Sequence, residues 1–362
     1  MPGERSGLAL AGSSLLSDRR ESSAAADAED AMTTRRVGMI EVARQAGVSV
    51  ATVSHVVNGS RPVSPETALK VTQAMAELGY VRNGTARQLK LGRSNTVGAI
   101  VLDMSNPYFT ELASGIEDRL RQDSGTLILT SSDEDVEREA DLLDLLAEQG
   151  VRGIVMTPTR GSTAHLEHLR RLGIPVVVMA GVRPELDVPT VGLDDVAGGR
   201  LGVDHLIERG HRAIAFINDS HDLPHCAARW QGAMEAVAAS RHRIQLVEVF
   251  IEQHGSAGGE RAMNQLLAAT PRVTAAFCYN DITALGAMRA VRKAGLSVPE
   301  DVAVLGYDDV YFAAELIVPL SSIRQPNRKM GWAAADILMD PPARTPHVVF
   351  QPELIVREST QR

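Results

Sequence analysis

The chain has 362 residues, 44% hydrophobic and 23% charged, a composition that excludes a miniprotein, a disordered chain and a membrane-embedded one. No apolar run approaches the roughly 18 to 20 residues that span a bilayer. The start of the chain also lacks the basic segment, long apolar stretch and cleavage site of a secretion signal. A cytoplasmic protein is expected, and two cysteines, Cys226 and Cys278, suit a reducing compartment and cannot form a disulfide framework.

The formal net charge of -8 hides an asymmetry. Residues 32–94 hold nine Lys/Arg against three acids, a net of +6, whereas residues 1–31 carry three against six and residues 95–362 carry 25 against 36. A small basic module fused to a large acidic body suggests that the module meets phosphate. A solvated basic face is the plainer alternative.

In chain order, residues 1–35 read as a disordered leader rich in Ser, Ala and acids, with Met32 as an alternative start. A helix is predicted over Ile40–Ala46, closed by Gly47, and a second over Val50–Asn58 behind the N-cap Ser49. Ser64-Pro65-Glu66 opens a third, running through Leu69, Val71, Met75 and Leu78. Residues 36–81 thus form a three-helix unit, and residues 82–94 form a linker in which Asn83 to Leu91 is weakly helical and Gly92-Arg93-Ser94 separates it from the body. From Thr96 onward, short Val/Ile/Leu runs alternate with amphipathic stretches, the pattern of parallel strands with crossover helices. At least nine such runs predict two similar α/β lobes with a ligand cleft between them.

The stretch Ile40 to Asn58 has the helix, three-residue turn, helix spacing of a helix-turn-helix, whose second helix enters the major groove. Its residues Val42-Ala43, Ala46-Gly47-Val48-Ser49, Thr52-Val53-Ser54, Val56 and Asn58, followed by Pro65-Glu66-Thr67 and Ala76 to Tyr80, closely resemble the N-terminal domain of the lactose repressor family of bacterial regulators. The resemblance implies base reading by Val50, Ala51 and His55, and phosphate contacts by Ser49, Thr52, Ser54 and Asn58. Val50 and Ala51 can meet only thymine methyls or shape, so His55 is the one polar reader, with a phosphate-bonding histidine as the alternative. Residues Asn83 to Lys90 resemble the family's hinge helix, with Ala86, Leu89 and Lys90 at the minor groove and Leu89 as the wedge.

Landmarks of the same resemblance continue through the body: Asn106 to Phe109, His205-Leu206-Ile207, Gly210-His211, Arg229, Gly232, Asn280-Asp281, Gly306 to Asp309, Gln325-Pro326 and Glu353 to Ser359. They imply a two-lobed domain like that of periplasmic sugar-binding proteins, with one lobe of about 95–191 and 326–350 and the other of about 192–325 and 351–362. The effector contacts implied are Tyr108 and Phe109 for stacking, Arg229 as a multi-donor clamp, Asn280 and Asp308 as hydroxyl partners, Gln325 at the lobe crossing, and His254. Ala180-Gly181 stand where the family's sugar regulators commonly carry an aspartate. The loop Asp219 to Cys226 reads as an effector-lining loop, since its spacing matches no standard zinc pattern. No nucleophile elbow, Walker loop, HExxH or dinucleotide fingerprint supports an enzyme, and the basic module argues against a transport binding protein.

The expected protein is therefore a repressor, not an enzyme, with no cofactor or metal. It binds a pseudo-palindromic operator in double-stranded DNA as a homodimer, controlled by a sugar, with a purine or other metabolite as the alternative effector. A dimer is expected in preference to a tetramer because no heptad segment follows the last strand.

Overall fold

The computed structural model describes residues 37–80, 94–180, 187–269 and 272–361. The chain divides into two compact units, residues 1–92 and 93–362.

The described part of the first unit is a three-helix module: α1 (Met39–Ala46), α2 (Val50–Asn58) and α3 (Pro65–Glu77). Local chemistry sets each boundary. Gly47 ends α1 in the left-handed region at φ 66°, which a residue with a Cβ enters at a cost. Ser49 caps α2 by accepting from the Thr52 amide, and Ser64 caps α3 by accepting from the Thr67 amide behind Pro65. Val42, Ala43, Val53, Val57, Val71 and Ala74 form its core. Leu69, part of the apolar run that predicted α3, is instead 69% exposed. It lies two positions from buried Val71, and a helix face does not hold residues at that spacing.

The second unit holds two sheets. The first contains β1 (Thr96–Val101), β2 (Thr126–Ser131), β3 (Gly153–Met156), β4 (Val176–Met179), β5 (Thr190–Leu193) and β11 (His347–Phe350) in the order β11-β5-β4-β3-β1-β2, all parallel. The second contains β6 (Ala213–Asn218), β7 (Gln245–Phe250), β8 (Ala275–Cys278), β9 (Ala303–Asp308), β10 (Ser321–Arg324) and β12 (Glu353–Ile355) in the order β12-β10-β9-β8-β6-β7, parallel except for β10 against β12. Buried runs such as Val176–Met179 and 303–306 are apolar or small throughout, as strands covered on both faces require. The expected strand runs all form; β10 and β11, each of four residues, are additional.

Helices α4 (Pro107–Gln122), α5 (Val136–Glu148) and α6 (Thr163–Leu172) connect strands of the first sheet, and α11 (Asn327–Met339) packs against α4. Helices α7 (Asp195–Glu208), α8 (Pro224–Ala239), α9 (Ser256–Ala268) and α10 (Asp281–Lys293) accompany the second. The chain passes between the sheets three times, after β5, after β10 at Gln325-Pro326, and between β11 and β12. The helix pair α7 and α8 crosses through a reciprocal glycine contact. A Cβ on Gly199 would lie 1.9 Å from the Arg229 carbonyl oxygen, and one on Gly232 would lie 1.9 Å from that of Val196. This close approach fixes Arg229 on α8 relative to Asp195 on α7.

Among the described residues no helix is long and apolar enough to cross a membrane.

Candidate functional site

In each sheet the chain moves from its first strand to one neighbour and then to the opposite side, so β1 lies between β2 and β3, and β6 between β7 and β8. Ligands of open α/β sheets bind beyond the strand C-termini at such switch points. A cavity of about 470 Å³ lies there, lined by Leu102, Asp103, Thr157 and Pro158 from one lobe and Asp219, Tyr279 and Asn280 from the other. Several polar lining residues are also helix N-caps. Asn106 accepts from the Tyr108 amide at 3.0 Å, Asp194 from Ala197 at 2.9 Å, and Asn280 from Thr283 at 2.8 Å. The N-termini of α4, α7 and α10 therefore meet at the cavity with their polarised amides.

All seven residues assigned to the effector, Tyr108, Phe109, Arg229, His254, Asn280, Asp308 and Gln325, line this one cavity. Their chemistry is more committed than sequence reasoning supposed. Arg229, 5% exposed, donates from Nε to Asp195 at 2.8 Å and from Nη1 to the Tyr279 carbonyl at 2.6 Å. Three of its five N–H groups remain for a ligand. Asn280 spends its carbonyl oxygen on the α10 cap and keeps its amide. Gln325 donates to Asp308 Oδ1 at 2.7 Å, and Asn106 donates to Asp308 Oδ2 at 3.4 Å, joining the two lobes. Burial pushes the Asp308 carboxyl up to about 6 against the opposing pull of Arg229. Asp308 holds φ 106°, a conformation that costs energy away from glycine, and it lines the cavity.

Tyr108 and Phe109 meet edge to face at 4.9 Å between centroids. Phe109, 7% exposed, also belongs to a small cluster with Val101 and Leu102, so part of its ring is core. Burial drives the Tyr108 phenol well above its ordinary range, so it is a neutral donor. His254 is half exposed and pairs with two carboxylates, Asp219 at 3.2 Å and Glu134 at 3.3 Å. Donor atoms of these three lie within 4.8 Å of one another. Arg160 also reaches Asp219 at 3.0 Å, so a side-chain cation already stands within the group. Ala180 lines the cavity with no polar atom on its side chain, while Gly181 lies outside the described residues.

Sequence reasoning missed Asp195, Tyr307 and His225. Tyr307 stood inside a quoted landmark without a role; it donates to Asp195 at 3.0 Å under the Arg229 guanidinium. His225 stood in the loop read as effector-lining. It lines the cavity one turn before Arg229, and burial with that cation holds its pKa down at about 4, leaving a neutral imidazole. Asp195 carried no signal beyond following the run Thr190–Leu193.

On the module of residues 37–80, Val50 is 43% exposed, and Ala51 and Asn58 are exposed on the same helix. Ser49 and Thr52 bond each other at 2.9 Å within the α2 cap, and Asn58 donates to Ser54 at 3.1 Å. His55 Nδ1 bonds the Ser60 hydroxyl at 2.9 Å, which leaves Nε2 for another partner. Ala86, Leu89 and Lys90 lie outside the described residues.

The comparisons with known proteins agree with this layout. Residues 38–83 match the family described as bacterial regulatory proteins, lacI family, and residues 203–360 match a periplasmic binding protein-like domain. The HTH-type transcriptional repressor PurR of Photobacterium profundum is 33% identical over 327 residues, 89% of this chain and 98% of that protein. The chain belongs to the lacI family of bacterial regulatory proteins. The ribose operon repressor of Haemophilus influenzae is 32% identical to this lacI-family regulator, over 89% of this chain and 98% of its own. The lac repressor dimer bound to operator and an anti-inducer superposes on the regulator with a TM-score of 0.77 at 27% identity, covering 91% of this chain and all of that one. A lacI-family regulator from Enterococcus faecium with bound ribose superposes at 0.66 and 29% identity, over 73% of this chain and 98% of its own.

Proposed function

We propose that the regulator is a cytoplasmic repressor, without enzymatic activity, that binds a pseudo-palindromic operator as a homodimer and is controlled by a sugar in the interlobe cavity. The cavity carries this reading: spare N–H groups of Arg229, the carboxyl of Asp308, the amide of Asn280 and the neutral donor Tyr108 surround a wall that includes Phe109, Leu193 and Met330. Hydroxyls want paired donors and acceptors, and a ring face wants an apolar surface. The ribose bound by a structural neighbour supports the same class.

In this reading Ser49, Val50, Ala51, Thr52, Ser54, His55 and Asn58 face the operator, residues 82–94 form the hinge, and Ala86, Leu89 and Lys90 enter the minor groove. A ligand that binds one lobe arrangement better than the other shifts the balance between DNA-competent and DNA-incompetent states, and the coupling is reciprocal.

Selection of genomic fragments with the purified full chain, followed by titration of sugars and purines into the recovered complex, tests the proposal. Enrichment of a palindromic site that one sugar releases is the expected result. Release by a purine alone replaces the effector class, and no enrichment at low salt with or without ligands overturns the reading.

A further inference from the structure

We infer that Arg160 and His254 are positioning residues that hold the two lobes together at the rim of the cavity, and that protonation of His254 sets how firmly they do so. The inference deepens the effector-cleft reading, but its test uses neither effector nor DNA.

Four side chains of alternating charge make the latch. Arg160 and Glu134 stand in loops after β3 and β2 of the first lobe; Asp219 and His254 stand in loops after β6 and β7 of the second. Arg160 Nη2 donates to Asp219 Oδ1 at 3.0 Å. The imidazole lies between Asp219 Oδ2, 3.2 Å from Nδ1, and Glu134 Oε2, 3.3 Å from Nε2. Two of these three contacts cross the cleft. These are ion-pair distances: a neutral imidazole carries no charge and one N–H, whereas the imidazolium attracts both carboxylates and has an N–H for each. Only the protonated ring therefore bridges the lobes while keeping its bond to Asp219.

The supports of the latch are firm. Asp219 is 6% exposed. The loop bearing Arg160 is fixed by the buried Glu139, which accepts from the Thr159 amide at 2.8 Å. The remaining charged and titratable groups around His254 leave its role intact. Asp103 faces Glu134, Arg261 is bonded to Gln253, and Tyr279, His225 and Cys226 beside Asp219 are neutral. The hydrogen bond to Asp219, with the nearby Glu134, holds the His254 pKa above its ordinary value. Closure is thus supported below that ordinary value and lost as pH rises through the raised one. Burial raises the Glu134 pKa, so acid eventually removes the same bridge from the other side.

The test is an interlobe distance. Ala164 and Ala257 are exposed on α6 and α9, one on each lobe, and both native cysteines are buried. Nitroxides on Ala164→Cys and Ala257→Cys in the full chain, diluted with unlabelled protein and kept in EDTA, report the separation by double electron–electron resonance. The ratio of short to long distances is expected to fall about three- to tenfold between pH 6 and 8.5. His254→Gln is expected to flatten that dependence, and His254→Arg, a permanent cation, to hold the short distance at pH 8.5. Arg160→Gln is expected to lower the ratio at every pH and keep the slope. A pH-independent ratio in the labelled parent overturns the inference. So does an unchanged slope in His254→Gln, or a slope lost in Asp308→Asn but kept in His254→Gln, which would move the switch to Asp308.

Discussion

Arg229 lies over the ring of Tyr307, its Cζ 3.5 Å from the ring centroid, and both residues bond the same oxygen of Asp195. The guanidinium charge is thereby compensated inside the protein. A ligand meets the N–H groups of Arg229 with little net charge behind them, which suits a neutral polyol better than an anion.

Removal of Arg229 has two separable effects. Arg229→Ala is expected to leave the Asp195 carboxylate buried without its cation, at a cost of about 3 to 5 kcal/mol, and, with Arg229 as the proposed effector clamp, to abolish effector response while specific DNA binding is kept. Tyr307→Phe deletes one hydrogen bond to Asp195 and costs about 1 kcal/mol. Urea unfolding of the parent and both variants separates these values. An Arg229→Ala variant as stable as the parent, with normal effector release of DNA, would refute both roles.

The glycine crossing of α7 and α8 transmits the same geometry. Gly199→Ala puts a methyl 1.9 Å from the Arg229 carbonyl oxygen, backbone that no rotamer change can move. The helices must separate, at a cost of about 1 to 3 kcal/mol for overpacking. Since Asp195 lies at the start of α7 and Arg229 within α8, the separation also stretches their 2.8 Å bond. Effector affinity is expected to fall more than tenfold, measured by calorimetry with whichever sugar releases the DNA. Unchanged affinity and stability together would show that the crossing is slack.

Asp308 makes stability depend on pH with a defined sign. Its folded pKa, about 6, lies above the ordinary aspartate value. The neutral acid is therefore favoured by folding, and the stability it contributes is full below the ordinary value and lost as pH rises toward 6. A shift of two units corresponds to at most about 3 kcal/mol. Asp308→Asn removes the titration and tolerates the positive φ. Urea midpoints from pH 4 to 7 are expected to decline less in the variant than in the parent. Parallel curves would assign the decline to other groups.

Much of this was legible in the sequence for local reasons. Ser49, Ser64 and Gly47 mark helix boundaries through bonds and backbone angles made within three or four residues, and buried parallel strands appear as apolar runs. Strands β10 and β11 were not legible. Three of the four residues of Ser321–Arg324 are polar, and Ser321 finds its partners in Arg357, Ser359 and Thr360, some forty residues away. The candidate site divides in the same way. Residues carried by recognisable motifs, such as Arg229, Asn280 and Asp308, could be nominated. Glu134 and Arg160 are ordinary loop charges until the fold brings Asp219 and His254 opposite them. Leu69 stands in the apolar run of α3 but off its buried stripe, which is narrow on so small a module.

The helix proposed to face DNA, α2, yields a prediction that depends on one hydrogen bond. His55 must present Nε2–H to reach the acceptors of guanine or adenine, and it does so when the Ser60 hydroxyl donates to Nδ1 across their 2.9 Å contact. His55→Ala is expected to cost about 1 to 3 kcal/mol at the base pair it reads and to abolish discrimination there. Ser60→Ala keeps the ring but not the preferred tautomer, and is expected to cost about 1 kcal/mol at the same base pair. Leu89→Ala acts differently, weakening specific operator binding more than tenfold without changing the preferred base under His55. Binding measured at fixed salt against operators varied one base pair at a time separates the three. If His55→Ala lowers affinity equally for every base pair and reduces the salt slope, the histidine meets phosphate, and base reading falls to Val50 and Ala51 through thymine methyls and groove shape.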